Sequence, residues 1–206
     1  MARIKLAVLL SGSGSTLENI CEHSAAGKLD ADVSVVVSSR LNVLGVERAK
    51  RRGIPVFVVS HKRHPDLMEY SNTIFEHIRP YAPDLIVLAG FMSMLKIPAA
   101  YSNRVVNVHP ALLPAFGGKG MYGHHVHEAV LKHGCKITGC TVHFVDDHYD
   151  QGPIIAQKAV DVKDEDTIET LAARVQEAER ELYPKTIQWF AEGRLRLQGR
   201  SVHVTS

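Results

Sequence analysis

Apolar, β-rich runs alternate with helix-patterned segments along the first half of the chain: IKLAVLL then TLENICEHSAAG, VSVVVSS then NVLGVERAKRRG, IPVFVV then DLMEYSNTIFEHI, then LIVLAG and VVNVH. That rhythm belongs to βαβ units and restricts the chain to a mostly parallel sheet. The early strand runs are continuously hydrophobic rather than alternating, so both of their faces need cover and helices are expected on each side. Gly27 and Gly53 stand where the first two helices close, at left-handed C-cap positions. A chain of 206 residues suffices for one well-packed core, so a single α/β, Rossmann-like domain is expected over residues 1–206. Residues 1–109 form its nucleotide-binding-like half, and 110–206 the remainder.

The texture changes after Pro110. A glycine-rich segment, AFGGKGMYGHH, leads to a short helix around VHEAVLKHG and then to two strand-like runs, ITGCTVHFV and PIIAQKAVDV. These predict an antiparallel C-terminal portion. A long amphipathic helix follows, with Ile168, Leu171, Val175, Ala178 and Leu182 on one stripe. The end, RLRLQGRSVHVTS, suits short edge strands.

Several functional classes are disfavoured by composition. With 24 basic against 22 acidic residues the formal charge is only +2, which argues against a nucleic-acid or anionic-membrane partner. The longest apolar runs fall far below the roughly 20 residues that span a bilayer. Arg3 and Lys5 lead directly into a strand-like run, so no secretory signal is read. Three cysteines, Cys21, Cys135 and Cys140, make an odd count without a CxxC pair, which fits a reducing cytoplasm better than a disulfide framework.

SGSGST ends the first strand run and opens the first helix. Small residues there let backbone N–H groups approach an anion, and the helix N-terminus adds partial positive charge, so a phosphate is the natural guest. A tight turn capped by Ser or Thr is the plainer interpretation. The dinucleotide fingerprint is incomplete, because Leu17 stands where a third glycine is wanted and the second strand ends in Ser38, Ser39 and Arg40 without a ribose-binding acid.

VVNVHP carries the more specific signal. Strand side chains alternate, so Asn107 and His109 project from one face while Val106 and Val108 point to the other, and Pro110 ends the ladder. Both polar groups then stand at the carboxyl end of a strand, where open α/β sheets bind ligands. A carboxamide N–H and an imidazolium N–H are suited to donate together to an oxygen on which negative charge develops. Downstream, TVHFVDDHYDQGPI offers Asp146, Asp147 and Asp150, any of which can sit beside His109 if the two strands are neighbours. Spacing does not choose among them. His124, His125, His127 and His133 cluster without an HExxH pattern, and no metal is expected.

SGSGST, LAGFM, NVHPALLP and TVHFVDDHYDQGPI occur in the order in which the phosphoribosylglycinamide formyltransferases carry them, and the chain resembles that family from about Ile4 to about Gly193, including YPKTIQWFAEGRL. The resemblance implies the formyltransferase fold, with the C-terminal half completing a folate site. It implies transfer of the formyl group of 10-formyltetrahydrofolate, a co-substrate, to the amine of 5'-phosphoribosylglycinamide in purine biosynthesis. Asn107, His109 and Asp150 match the family's catalytic trio. Gly14, Ser15 and Thr16 match its loop for the substrate phosphate, and Glu179 the acid that bonds the substrate ribose. Phe91, Met92, Ser93, Met94 and Leu95, with Asn107, Val145 and Asp147, match the folate-binding positions. Leu67 and Ser93 depart from arginines common in the family, with Lys62 or Arg63 as candidate substitutes. In the implied reaction the amine attacks the formyl carbon directly, Asn107 and protonated His109 hold the oxyanion, and Asp150 keeps the ring charged.

Methionyl-tRNA formyltransferase and formyltetrahydrofolate deformylase share much of this signature, but length and weak charge disfavour them. An NADP-dependent reductase or simple nucleotide-binding module, using SGSGST with Arg40, leaves NVHP and D-x-G-P unexplained. A cytoplasmic enzyme of small-molecule substrates, monomeric or homodimeric, is expected.

Overall fold

The computed structural model describes residues 3–205. Strands along the main sheet run Val56–Val58, Ala31–Ser38, Ile4–Leu10, Leu85–Leu88, Val105–His109, Ile137–Phe144 and Ile154–Asp161, and Leu195–Gln198 with Ser201–Val204 form a separate hairpin. The chain divides into two compact units, the first reaching to Val106 and the second beginning at Asn107.

In the first unit, strands β1 (Ile4–Leu10), β2 (Ala31–Ser38), β3 (Val56–Val58) and β4 (Leu85–Leu88) alternate with helices α1 (Ser15–Ala25), α2 (Leu44–Arg51) and α3 (Leu67–Ile78). β1 pairs in parallel with both β2 and β4, and β2 with β3, as the βαβ rhythm demands. Leu6 to Leu10 are 0% exposed, so inward and outward side chains of β1 are equally covered. That is the physical content of the unbroken apolar run. Gly27 and Gly53, at φ 67° and 68°, follow the C-caps of α1 and α2 in the left-handed region. Asp66 begins α3 by accepting the Glu69 N–H at 2.8 Å.

β5 (Val105–His109) continues into the second unit, which contains α4 (His124–Lys132), β6 (Ile137–Phe144), β7 (Ile154–Asp161), α5 (Ile168–Ala191), β8 (Leu195–Gln198) and β9 (Ser201–Val204). β6 and β7 are antiparallel, as are β8 and β9. α5 packs on β6 and β7 and buries Leu171, Val175, Ala178 and Leu182, the stripe seen in the sequence. The residues after β5 are tied down by side chains. Thr141 Oγ1 donates to the Ala111 carbonyl at 2.6 Å and accepts the Leu113 N–H at 3.0 Å, while Gln157 Nε2 donates to the Leu113 carbonyl at 2.9 Å. This clamp fixes where the chain goes immediately after His109.

Candidate active site

In the second unit Asn107, His109 and Asp150 come together, joined by His143. His109 Nδ1 lies 3.5 Å from Asp150 Oδ2, and His143 Nε2 lies 3.6 Å from Asp150 Oδ1. Asn107 Nδ2 is 3.3 Å from His143 Nε2. Of the three aspartates, Asp150 is the one beside His109. Asp146 instead accepts the His148 N–H at 2.9 Å, and Asp147 is exposed. Asp150 adopts φ 55°, a left-handed conformation that a short polar residue tolerates better than most. Its Oδ2 also accepts the Gly118 N–H at 2.9 Å.

His143 was not singled out from the sequence, although TVHFV contains it. Its Nδ1 lies 2.8 Å from the Phe144 carbonyl, and its Nε2 faces both the Asn107 amide and Asp150. The glycine of the D-x-G-P turn serves the same carbonyl, for a Cβ on Gly152 would stand 1.7 Å from Phe144 O. Only glycine lets the turn pass so close.

Burial opposes the charged ring expected on His109. His109 is 3% exposed, and burial lowers its pKa below the ordinary value. Asp150 and the Phe116 carbonyl, which accepts the Nε2–H at 2.8 Å, push the other way without overcoming that desolvation. For Asp150 the balance falls oppositely. Burial favours its neutral form, but His143, His109 and the Gly118 N–H together hold its pKa below the usual carboxylate value. Within the cluster the surroundings thus favour the charged form of Asp150 and the neutral form of His109.

Glu179, on α5, is half-buried, and desolvation pushes its carboxyl up to about 7. Burial of Cys140, with a smaller contribution from the Glu179 charge, raises that thiol to about 12, which removes Cys140 as a nucleophile at neutral pH.

In the first unit, Gly14 is the N-cap of α1 at φ 72°, and no side chain caps the helix, unlike the plainer capped-turn alternative. Ser15 and Thr16 are the first residues of the helix, so their N–H groups lie in the uncapped first turn. A Cβ at Gly14 would sit 2.6 Å from Gly45 Cα, so the loop is backed tightly by α2. Phe91, Ser93 and Met94 are half-buried, Met92 is exposed and Leu95 is buried, along an irregular segment after β4. Leu67 is half-buried at the start of α3, and Lys62 and Arg63 are exposed. Val145, in the second unit, is half-buried. A hollow on the β8-β9 hairpin, lined by Arg196, Leu197, Gln198 and His203, contains none of the residues anticipated from sequence.

Residues 4–187 match the model of the formyl transferase family. This chain belongs to the formyl transferases. The chloroplastic phosphoribosylglycinamide formyltransferase of Vigna unguiculata is 40% identical over 195 residues, covering 94% of this chain, which spans 62% of that relative's length. The Haemophilus influenzae phosphoribosylglycinamide formyltransferase is 37% identical and covers 94% of this chain and 90% of its own. Glycinamide ribonucleotide transformylase 1 from Symbiobacterium toebii superposes with a TM-score of 0.93 at 39% identity, covering 100% of this chain and 95% of its own. Among the described residues no group of His, Cys, Asp or Glu is arranged to hold a metal ion, and no helix is long and apolar enough to cross a membrane.

Proposed function

We propose that the protein transfers the formyl group of 10-formyltetrahydrofolate to the amine of 5'-phosphoribosylglycinamide in de novo purine biosynthesis. The convergence of Asn107, His109 and Asp150, with His143 joining the amide to the carboxylate, carries this reading. The amine attacks the formyl carbon. The Asn107 amide and the His109 ring stabilise the oxyanion, a contribution of about 3 kcal/mol per donor. The His109 ring takes up the proton that the attacking amine loses, and Asp150, 3.5 Å from Nδ1, stabilises the imidazolium so formed. Collapse of the intermediate returns a proton to the departing folate nitrogen. Cysteine and serine nucleophiles have no part.

Gly14, Ser15 and Thr16 take the substrate phosphate, whose charge suits the uncapped first turn of α1. Glu179 bonds the ribose. The segment from Phe91 to Leu95, with Val145 and Asp147, lines the folate site. The enzyme works in the cytoplasm on small molecules as a monomer or homodimer, without nucleic-acid or membrane partners.

The test is to combine purified protein with both substrates and follow release of tetrahydrofolate by absorbance and formation of formylated product by mass. Stoichiometric product that requires phosphoribosylglycinamide is expected. Tetrahydrofolate release at the same rate without the amine would instead make the protein a deformylase.

A further inference from the structure

One buried hydroxyl in the first unit joins two segments that the sequence sets far apart. Ser11, the first residue of SGSGST, is 0% exposed. Its Oγ accepts the Met92 N–H at 3.0 Å and is bonded to the Ser39 hydroxyl at 2.6 Å, while its own N–H donates to the Gly90 carbonyl at 3.2 Å. The far end of the same segment is held similarly, since the Lys96 N–H donates at 2.9 Å to Ser71 Oγ, itself 1% exposed. On the other side of Ser11 the glycine loop is anchored from α2. The Gly45 N–H donates to the Gly12 carbonyl at 3.1 Å, and Arg48 Nη1 donates to the Gly14 carbonyl at 3.3 Å.

Neither the turn from Ser11 to Gly14 nor the segment from Phe91 to Leu95 is helix or strand, so neither sets its own geometry through a ladder. What fixes them is this small set of side-chain and main-chain bonds. We propose that Ser11 is a positioning residue shared by both substrates: it begins the loop assigned to the phosphate, and its hydroxyl ties that base to the Met92 N–H of the folate-lining segment. The proposal rests on the assignments of those two loops given under Proposed function. Ser71 and Arg48 are the one-sided counterparts: Ser71 holds only the folate-lining segment, and Arg48 only the phosphate loop.

A serine that merely stabilises the core predicts something different from a shared bracket. Removing it would lower the melting temperature and leave both KM values alone. The experiment is steady-state kinetics of Ser11→Ala, Ser71→Ala and Arg48→Ala, with calorimetric binding of phosphoribosylglycinamide and of tetrahydrofolate to each. Ser11→Ala is expected to raise KM for both substrates by about five- to tenfold, the scale of one or two lost hydrogen bonds, with kcat within about twofold of wild type. Arg48→Ala should raise KM for the phosphate-bearing substrate alone, and Ser71→Ala for the folate alone. Ser39→Ala, at a half-buried position, removes one partner of the bracket and should raise both KM values by roughly two- to threefold. A change in only one KM for Ser11→Ala, or in neither, overturns the shared role. Failure of the wild-type protein to bind either ligand overturns the loop assignments themselves, a result distinguishable because it needs no variant.

Discussion

Replacing Asp150 by asparagine isolates charge from shape. Asparagine tolerates the φ of 55° at least as well as aspartate, and its carbonyl oxygen can still accept the Gly118 N–H, so folding and melting temperature should change little. What is lost is an ion pair in the transition state. At the 3.5 Å separation of His109 Nδ1 and Asp150 Oδ2, and an effective dielectric constant of about 20, that pair is worth about 5 kcal/mol. The amide oxygen restores roughly half, because a charge-assisted hydrogen bond is about twice as strong as a neutral one. A net loss of about 2.5 kcal/mol corresponds to a fall in kcat of roughly a hundredfold, with both KM values nearly unchanged. Asp150 also raises the pKa of His109, so removing its charge lowers that pKa further and moves the acid limb of kcat/KM to lower pH. The assay is kcat and kcat/KM for both substrates between pH 5 and 9. A kcat within twofold of wild type, or an acid limb displaced to higher pH, refutes the assignment.

His127 is 4% exposed, its Nδ1 has no hydrogen-bond partner, and burial together with His124 and His109 lowers its pKa to about 4. The unfolded chain therefore binds more protons between pH 6.5 and 4, and stability should fall by up to about 3 kcal/mol as pH drops through that window. Urea unfolding at pH 7 and pH 4.5 measures this, and His127→Gln should flatten the difference. Glu179 has the opposite sign: its raised pKa, about 7, means that its contribution to stability is lost as pH rises from 4.5 through 7. Glu179→Gln should melt higher than wild type at pH 8 while raising KM for phosphoribosylglycinamide. Gly152→Ala drives a methyl to 1.7 Å from Phe144 O, and should cost several kcal/mol in urea unfolding because it displaces the carbonyl that holds His143. Wild-type stability in that variant would show that the turn yields cheaply.

The strand–helix alternation, the glycine closures of α1 and α2 and the apolar stripe of α5 were all legible in the sequence, because each follows from local periodicity and backbone preference. Asn107 and His109 were legible for the same reason: residues two apart on a strand share a face whatever surrounds them. The choice of Asp150 over Asp146 and Asp147 was not legible from spacing and came only with the family resemblance, since it depends on how the turn after β6 folds back, and His143 entered only through contacts across 36 positions of sequence. Ser11 lay inside a quoted motif, yet its partner at Met92 is 81 positions away. The opposing effect of burial on His109 was not legible in the sequence, where only the neighbouring acid, which favours an imidazolium, could be read. Protonation is set by the competition between desolvation and partners, and the degree of burial exists only once the tertiary structure has closed around the ring.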